Sequence, residues 1–268
     1  QRFYADDGKY DIKKYEQILK TEKTTLVYFE AVSNPMLVVA DARKIISLAK
    51  EYGAVVIVDN TFATPRLWKP LNDGADIVIH SATKYFAGHG NITAGALSGN
   101  CPEIEKAAIE YRKFVGHLLS PDDAYRLSTQ LKTFDIRFEQ QCQNALKLAH
   151  TLTVHQKIEK VMYPGLLTHQ THELARELFQ GKLYGAMITF ELKGENFEEK
   201  AEKCHHLVSQ LEQSIPLIPA LGDGDTTLLP VEAVWGAKYP NPGMIRLSVG
   251  IESYTTIEET ILSALDAL

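Results

Sequence analysis

Ala54-Val-Val-Ile-Val-Asp59 and Ala75-Asp-Ile-Val-Ile-His80 are two short, nearly continuous apolar runs rich in β-branched residues. Side chains on a strand alternate between faces, so a strand with no polar alternation is one buried on both faces. Working outward, Val39–Tyr52 carries Ile45, Ile46, Leu48 and Ala49 on a helical period, and Gly53 stops that helix just before the first run. Thr24–Glu30 upstream and Thr93–Leu97 downstream read as further strands, and Pro65 and Pro70 mark the loop between the two runs. Strand, helix, strand in this rhythm is βαβ logic and predicts an α/β fold with a mainly parallel sheet covered by helices.

From Ser120 the pattern changes to long helices, Pro121–Leu131 and then roughly Lys132–Leu152, the second long enough to bridge two domains. Beyond it Val161–Tyr163, Ala186–Glu191 and Met244–Val249 read as strands, with helices near Thr171–Gln180, Phe197–Gln213 and Thr256–Leu268. The expected organisation is a larger α/β domain over residues 1–142 and a smaller C-terminal α+β domain over 143–268.

The 268 residues carry 28 Lys+Arg against 34 Asp+Glu, a formal net charge of −6. Neutralising a phosphate backbone needs a basic face, so nucleic acid is not an expected partner. The longest apolar stretches fall far short of the ~20 residues that span a bilayer, and the polar start Gln-Arg-Phe-Tyr-Ala-Asp-Asp-Gly lacks the apolar core of a secretory signal. Cys101, Cys142 and Cys204 are odd in number and contain no C-x-x-C, which fits a reduced, cytoplasmic setting.

Three polar residues fall just after successive strands: Asn34, Asp59 and Lys84. Ligands of open α/β sheets sit beyond the carboxyl ends of the strands, so these side chains are candidates for one crevice. Taken singly, each has an ordinary explanation as a solvated charge, a turn cap or a turn dipeptide. Together they describe a chemistry. A lysine near apolar walls has its charged form disfavoured and can attack a carbonyl to form a Schiff base. The hydroxyls of Ser81 and Thr83 are suited to a phosphate, and a carboxylate such as Asp59 keeps a pyridine nitrogen protonated. That set is a pyridoxal phosphate site. His169 and His172 have H-x-x-H spacing without a further patterned ligand, and no metal site is expected. Gly222-Asp223-Gly224 reads as a turn, and His205 and His206 as partly solvated helix positions.

Val58-Asp-Asn-Thr-Phe-Ala-Thr-Pro65, Gly74-Ala-Asp-Ile-Val-Ile-His-Ser-Ala-Thr-Lys-Tyr85 and Ile245-Arg-Leu-Ser-Val-Gly-Ile-Glu252 closely resemble the Cys/Met-metabolism PLP-dependent family, which includes methionine γ-lyase, the cystathionine lyases and synthase, and the O-acylhomoserine sulfhydrylases. The resemblance extends over essentially the whole chain, through Leu131-Lys-Thr133 with Arg137 and Tyr163-Pro-Gly-Leu166. It implies the aspartate aminotransferase-like fold (fold type I), a cofactor-binding large domain, pyridoxal 5′-phosphate as cofactor, a small amino-acid substrate and a homo-oligomer built as a dimer of dimers. By motif position, Lys84 resembles the lysine that binds the cofactor covalently, Asp59 the partner of the pyridine nitrogen, and Ser81 and Thr83 the phosphate-side hydroxyls. Asn34 resembles the asparagine near the phenolic oxygen, and Arg246 the arginine that forks onto the substrate carboxylate, a geometry lysine cannot reproduce.

Two departures stand out. Family chains carry a substantial portion ahead of the position matching Gln1, so an N-terminal part of the large domain is expected to be missing from this sequence. The family also has a serine before its Leu-Gly pair, preceded in cystathionine enzymes by a glutamate, whereas here Pro219-Ala220 precede Leu221-Gly222. With no acid to hold a distal amine, the expected activity is a methionine γ-lyase-like elimination. O-acetylhomoserine sulfhydrylase or cystathionine-type transsulfuration is the alternative, and a non-catalytic oligomer partner is the reading from another class.

Overall fold

Asp11 accepts a hydrogen bond from the Lys14 amide (3.1 Å) and so starts the first helix, α1 (Ile12–Thr21), by satisfying one of its unpaired N–H groups. The computed structural model describes residues 3, 5, 8–239 and 241–268. β1 (Leu26–Glu30) leads through a loop to α2 (Ala42–Glu51), whose buried residues Ala42, Ile45, Ile46, Leu48 and Ala49 make one apolar stripe. Then come β2 (Val55–Asp59), the short α3 (Thr64–Leu67), β3 (Ile77–Ser81) and β4 (Gly95–Gly99). These strands form one sheet in the order β1-β2-β3-β4, with the first three parallel and β4 antiparallel.

The expectation of strands buried on both faces holds at Ile77 and Val78 of β3, whereas β1 and β2 are closed on one face only. Val56 and Val58 are fully buried beneath Ile46 and Ala49 of α2, whereas Leu26 and Tyr28 on the other face are about half exposed. The reason is layering. Among the described residues a helix covers the Val56/Val58 face, while the face bearing Tyr28, Glu30 and Asp59 is not closed in the same way.

Helices α4 (Pro102–Val115) and α5 (Pro121–Gln130) have no buried residue, and Leu131–Thr133 forms a 3₁₀ turn ahead of the long α6 (Phe134–Val154). α6 serves both halves of the molecule. Phe134, Phe138 and Cys142 pack into the core under the first sheet, and Ala145, Leu148, Ala149 and Leu152 into the core of the second.

The second sheet is built from β5 (Ile158–Met162), β6 (Met187–Leu192), β7 (Thr227–Pro230) and β8 (Met244–Ser248), antiparallel throughout in the order β5-β6-β8-β7. Between these strands lie α7 (His172–Leu178), α8 (Phe197–Leu211) and α9 (Val231–Trp235), and α10 (Tyr254–Asp266) closes the chain. Every residue of the interior strand β8 is buried. Its alternation sends Ile245 and Leu247 into the core shared with α6, α8 and α10, and turns Met244, Arg246 and Ser248 the other way. Arg246 thereby reaches Asn34 in the first half of the molecule, and the Ser248 hydroxyl accepts from the amide of Gly222 (2.8 Å), which itself lies against Lys84 and Tyr85.

Candidate active site

Lys84 lies in the tight turn after β3, where its amide donates to Ser81 O (3.0 Å) and its carbonyl accepts from the Gly88 amide (2.8 Å). Ala82, Tyr85 and Ala87 of this turn are buried, which anchors the backbone and leaves the lysine half-exposed. A buried guanidinium holds the turn from below. Arg137 of α6 donates to Tyr85 O (3.1 Å), Phe86 O (3.2 Å) and Gln130 O (3.1 Å), and through Nε to the Thr133 hydroxyl (3.1 Å). Such a fork satisfies several carbonyls at once, which a lysine could not do.

From the other side the 222–224 turn closes on the same segment. Gly224 N donates to Gly88 O (3.1 Å), and Asp223 O accepts from Gln141 Nε2 (2.6 Å). Gly222 sits at φ +83°, and a Cβ there would lie 2.7 Å from Tyr85 N and 3.0 Å from the Lys84 carbonyl carbon. Replacing Gly222 by alanine is therefore expected to cost about 1–3 kcal/mol, read as a lower denaturant midpoint with an unchanged m-value.

The Lys84 amine makes no hydrogen bond or ion pair within the described residues. Burial, and then the nearby Arg246 charge, push its pKa below the usual lysine value, and Asp223 acts in the opposite direction. Arg246 is 3% exposed. It donates to Asn34 Oδ1 (3.2 Å) and to the carbonyls of Pro219 (2.9 Å) and Ala220 (3.2 Å), and its buried Nε has no partner. Burial pulls this guanidinium down to about 10, which leaves it charged at neutral pH. Asp59, at the carboxyl end of β2, accepts from the Tyr28 hydroxyl (3.1 Å) and from the Thr61 amide (3.0 Å). Glu30 is its register partner on β1, and burial followed by the Asp59 charge raises the Glu30 carboxyl. Asp59 pairs with Ile79, which puts it on the same sheet face as Ser81. The Ser81 hydroxyl is unengaged among the described residues, but that of Thr83 already donates to Ala94 O (3.3 Å) and accepts from Ala94 N (2.9 Å).

A family model described as Cys/Met metabolism PLP-dependent enzyme matches residues 5–266. The chain belongs to this family. It is 40% identical over 247 residues to the L-methionine γ-lyase of Fusobacterium nucleatum subsp. polymorphum, covering 88% of this chain and 60% of that protein. It is 38% identical over 256 residues to the cystathionine β-lyase of Lactococcus lactis subsp. cremoris (strain MG1363), covering 91% of this chain and 64% of that protein. A crystal structure of cystathionine γ-synthase from Xanthomonas oryzae pv. oryzae in complex with cystathionine superposes with a TM-score of 0.87 at 32% identity, over 95% of this chain and 66% of that one. The chain thus spans less than two thirds of the length of the curated relatives named here, and its α/β fold is the fold of this PLP-dependent family.

The residues present fit the family's cofactor. A half-buried amine with its charged form disfavoured and no partner, an unengaged hydroxyl at Ser81, and a carboxylate fixed by two donors at a strand's carboxyl end are the donor set that pyridoxal phosphate needs. The orphaned Arg246 Nε likewise fits a carboxylate. Tyr28, Asp223 and Arg137 are absent from the sequence-derived candidate set. Tyr28 shares a face with Asp59 only once β1 and β2 are paired, and Asp223 meets the lysine turn only through the packing of the 222–224 turn. The histidine pair is used structurally: His172 Nδ1 lies 2.9 Å from Pro164 O, and no group of potential metal ligands occurs among the described residues. Cys142 and Cys204 are buried, and burial pushes both thiols up, Cys204 to about 11, so neither is an activated nucleophile.

Proposed function

We propose that this chain forms the greater part of a carbon–sulfur lyase that eliminates a γ- or β-substituent from sulfur-containing amino acids, in the manner named for its methionine γ-lyase relatives. The observation that carries the reading is the unpartnered Lys84 amine in the field of a buried Arg246 whose Nε also lacks an acceptor, an amine beside a fixed cation, which suits an anionic amino acid. When bound, the cofactor supplies an aldehyde that reacts with amines and a ring that draws electrons from the bonds of the attached amino acid. Lys84 would hold it covalently. Asp59, fixed by Tyr28 and the Thr61 amide, would face the ring nitrogen, and Asn34 the phenolic oxygen. Ser81 would donate to the phosphate, joined by Thr83 if its hydroxyl leaves Ala94 O.

Arg246 would donate from its unpaired Nε to the substrate carboxylate and thereby fix the carbon whose proton is removed. Lys84 Nζ in its uncharged form, which burial and then the Arg246 charge favour, would take that proton. The reading includes a homo-oligomer, a dimer of dimers, supported by exposed apolar side chains on and beside α4 and α5 such as Phe114 and Tyr125. Cytoplasmic placement is supported by three unpaired cysteines. Among the described residues no helix is long and apolar enough to cross a membrane.

A second reading, transsulfuration through cystathionine, is favoured by the relatives that carry that name. Full-length protein loaded with the cofactor separates the two. Methionine is expected to consume one water and yield one thiol, one ammonia and one 2-oxo acid with no added acceptor. Turnover of cystathionine alone supports the second reading, thiol transfer only in the presence of O-acetylhomoserine and sulfide supports a sulfhydrylase, and no turnover of any substrate overturns the enzyme.

A further inference from the structure

Arg246 is not surrounded by polar groups alone. The Trp235 ring lies over its guanidinium, 5.6 Å from centroid to Cζ, a cation–π distance. Trp235 ends α9, and the Tyr239 ring meets it edge-on at 6.5 Å and 84°. With Met36, two residues after Asn34, these rings pack on the buried cluster of Met162, Val231 and Met244. The Met36 segment is itself pinned to the second sheet, because the Thr189 hydroxyl donates to Pro35 O (2.6 Å) and Asn34 accepts from Arg246. An apolar wall of thioether and aromatic side chains therefore begins where the guanidinium ends.

The Lys238 ammonium lies 5.4 Å from the Tyr239 ring centroid. Two carboxylates near the wall are already matched by cations, Glu30 by Lys238 and Glu191, the register partner of Met244, by Lys200. A ligand whose carboxylate sits on Arg246 would lay its side chain along apolar surface, where a distal ammonium would lose its hydration without compensation from the wall.

We propose that Trp235, with Met36 and Tyr239 beside it, is a specificity-determining residue that receives an uncharged, apolar or thioether side chain and rejects one ending in an ammonium. This rests on the reading of Arg246 as the substrate-carboxylate residue. It goes beyond that reading by assigning substrate choice to a wall on α9 and its neighbours.

Norleucine and ornithine test it, since their side chains have the same heavy-atom count and differ in ending in a methyl or an ammonium. Against methionine turnover by full-length, cofactor-loaded protein, norleucine is expected to compete at least about tenfold better than ornithine, within the range one apolar contact can supply. Trp235→Ala is expected to bring that ratio to within about threefold, mostly by raising the methionine KM with kcat little changed, the signature of lost uniform binding. Trp235→Phe should preserve it. The chain has two tryptophans, and Trp68 is buried, so norleucine binding should also alter an emission signal that Trp235→Phe removes while inhibition persists. If Trp235→Ala does not fold, Met36→Glu supplies the second arm: a carboxylate in the wall is expected to favour ornithine.

The proposal is overturned by a wild-type protein that does not discriminate, by a folded Trp235→Ala protein with an unchanged ratio, or by Met36→Glu with no gain for ornithine. In those cases continued turnover of methionine leaves the lyase reading standing. Conversely, absence of turnover with norleucine still perturbing Trp235 emission far below the ornithine concentration would remove the lyase reading and keep the wall.

Discussion

Full-length protein carrying Lys84→Ala is expected to lose its borohydride-stable pyridoxal phosphate label, and turnover should fall by at least about 10²–10⁴-fold, the share that one positioned proton-transfer group contributes. The wild-type label should map to the peptide containing Lys84. Its pH dependence follows from the surroundings of the amine, because only the neutral form reacts. Burial and the Arg246 charge both disfavour the ammonium, whereas Asp223 favours it. The midpoint of labelling should therefore lie below the ~10.4 of an ordinary lysine. Asp223→Asn withdraws an anion, so the midpoint should fall further and more amine should react at a given pH. Arg246→Gln withdraws a cation and should move the midpoint up. Mass spectrometry of the labelled peptide across pH reads all three. A label that survives on another lysine in the alanine protein, or midpoints that move in the opposite directions, would sink the assignment.

The parts of this molecule legible in its sequence are those encoded by local pattern. β2 and β3 follow from continuous β-branched runs and α2 from its apolar stripe, and the observed ends differ from the expected ones by a few residues, where fraying and capping decide. Asp59 and Lys84 are legible as candidates because strand ends carry ligands in such sheets. What pattern could not reveal depends on packing. β7 is four residues long and ends at Pro230, too short for a period of two to register. The exposure of Tyr28 and Leu26 contradicts the apolar run that contains them, since a run records hydrophobicity and not what covers it. Trp235 and Asp223 are far from Asn34 and Lys84 in the chain, and only the turn of β8 toward the first half of the molecule brings their loops to the site.

Arg246→Lys keeps the charge and removes the planar spread of donors, and its expected effect is a methionine KM raised about 30- to 4000-fold, corresponding to the roughly 2–5 kcal/mol lost when one partner of a buried, hydrogen-bonded charge pair is truncated. The size of the effect comes from how the guanidinium is already spent. One terminal nitrogen serves Asn34, the other serves the carbonyls of Pro219 and Ala220, and Nε remains for an incoming carboxylate. A lysine brings three donors on a single atom and cannot reach three directions at that separation. Whatever it binds, some of Asn34 Oδ1, the two carbonyls and the substrate is left without a donor around a buried side chain, where an unmade hydrogen bond costs most. Methionine amide distinguishes this account from general damage, because it keeps the side chain and lacks the carboxylate. The parent protein is expected to prefer methionine over its amide by about 10²-fold or more, as a site built around a charged partner does, and Arg246→Lys should abolish most of that preference. Because the charge near Lys84 is retained, the labelling midpoint of Lys84 should shift far less in Arg246→Lys than in Arg246→Gln. A variant that still prefers the acid as strongly as the parent would show that the carboxylate is held elsewhere.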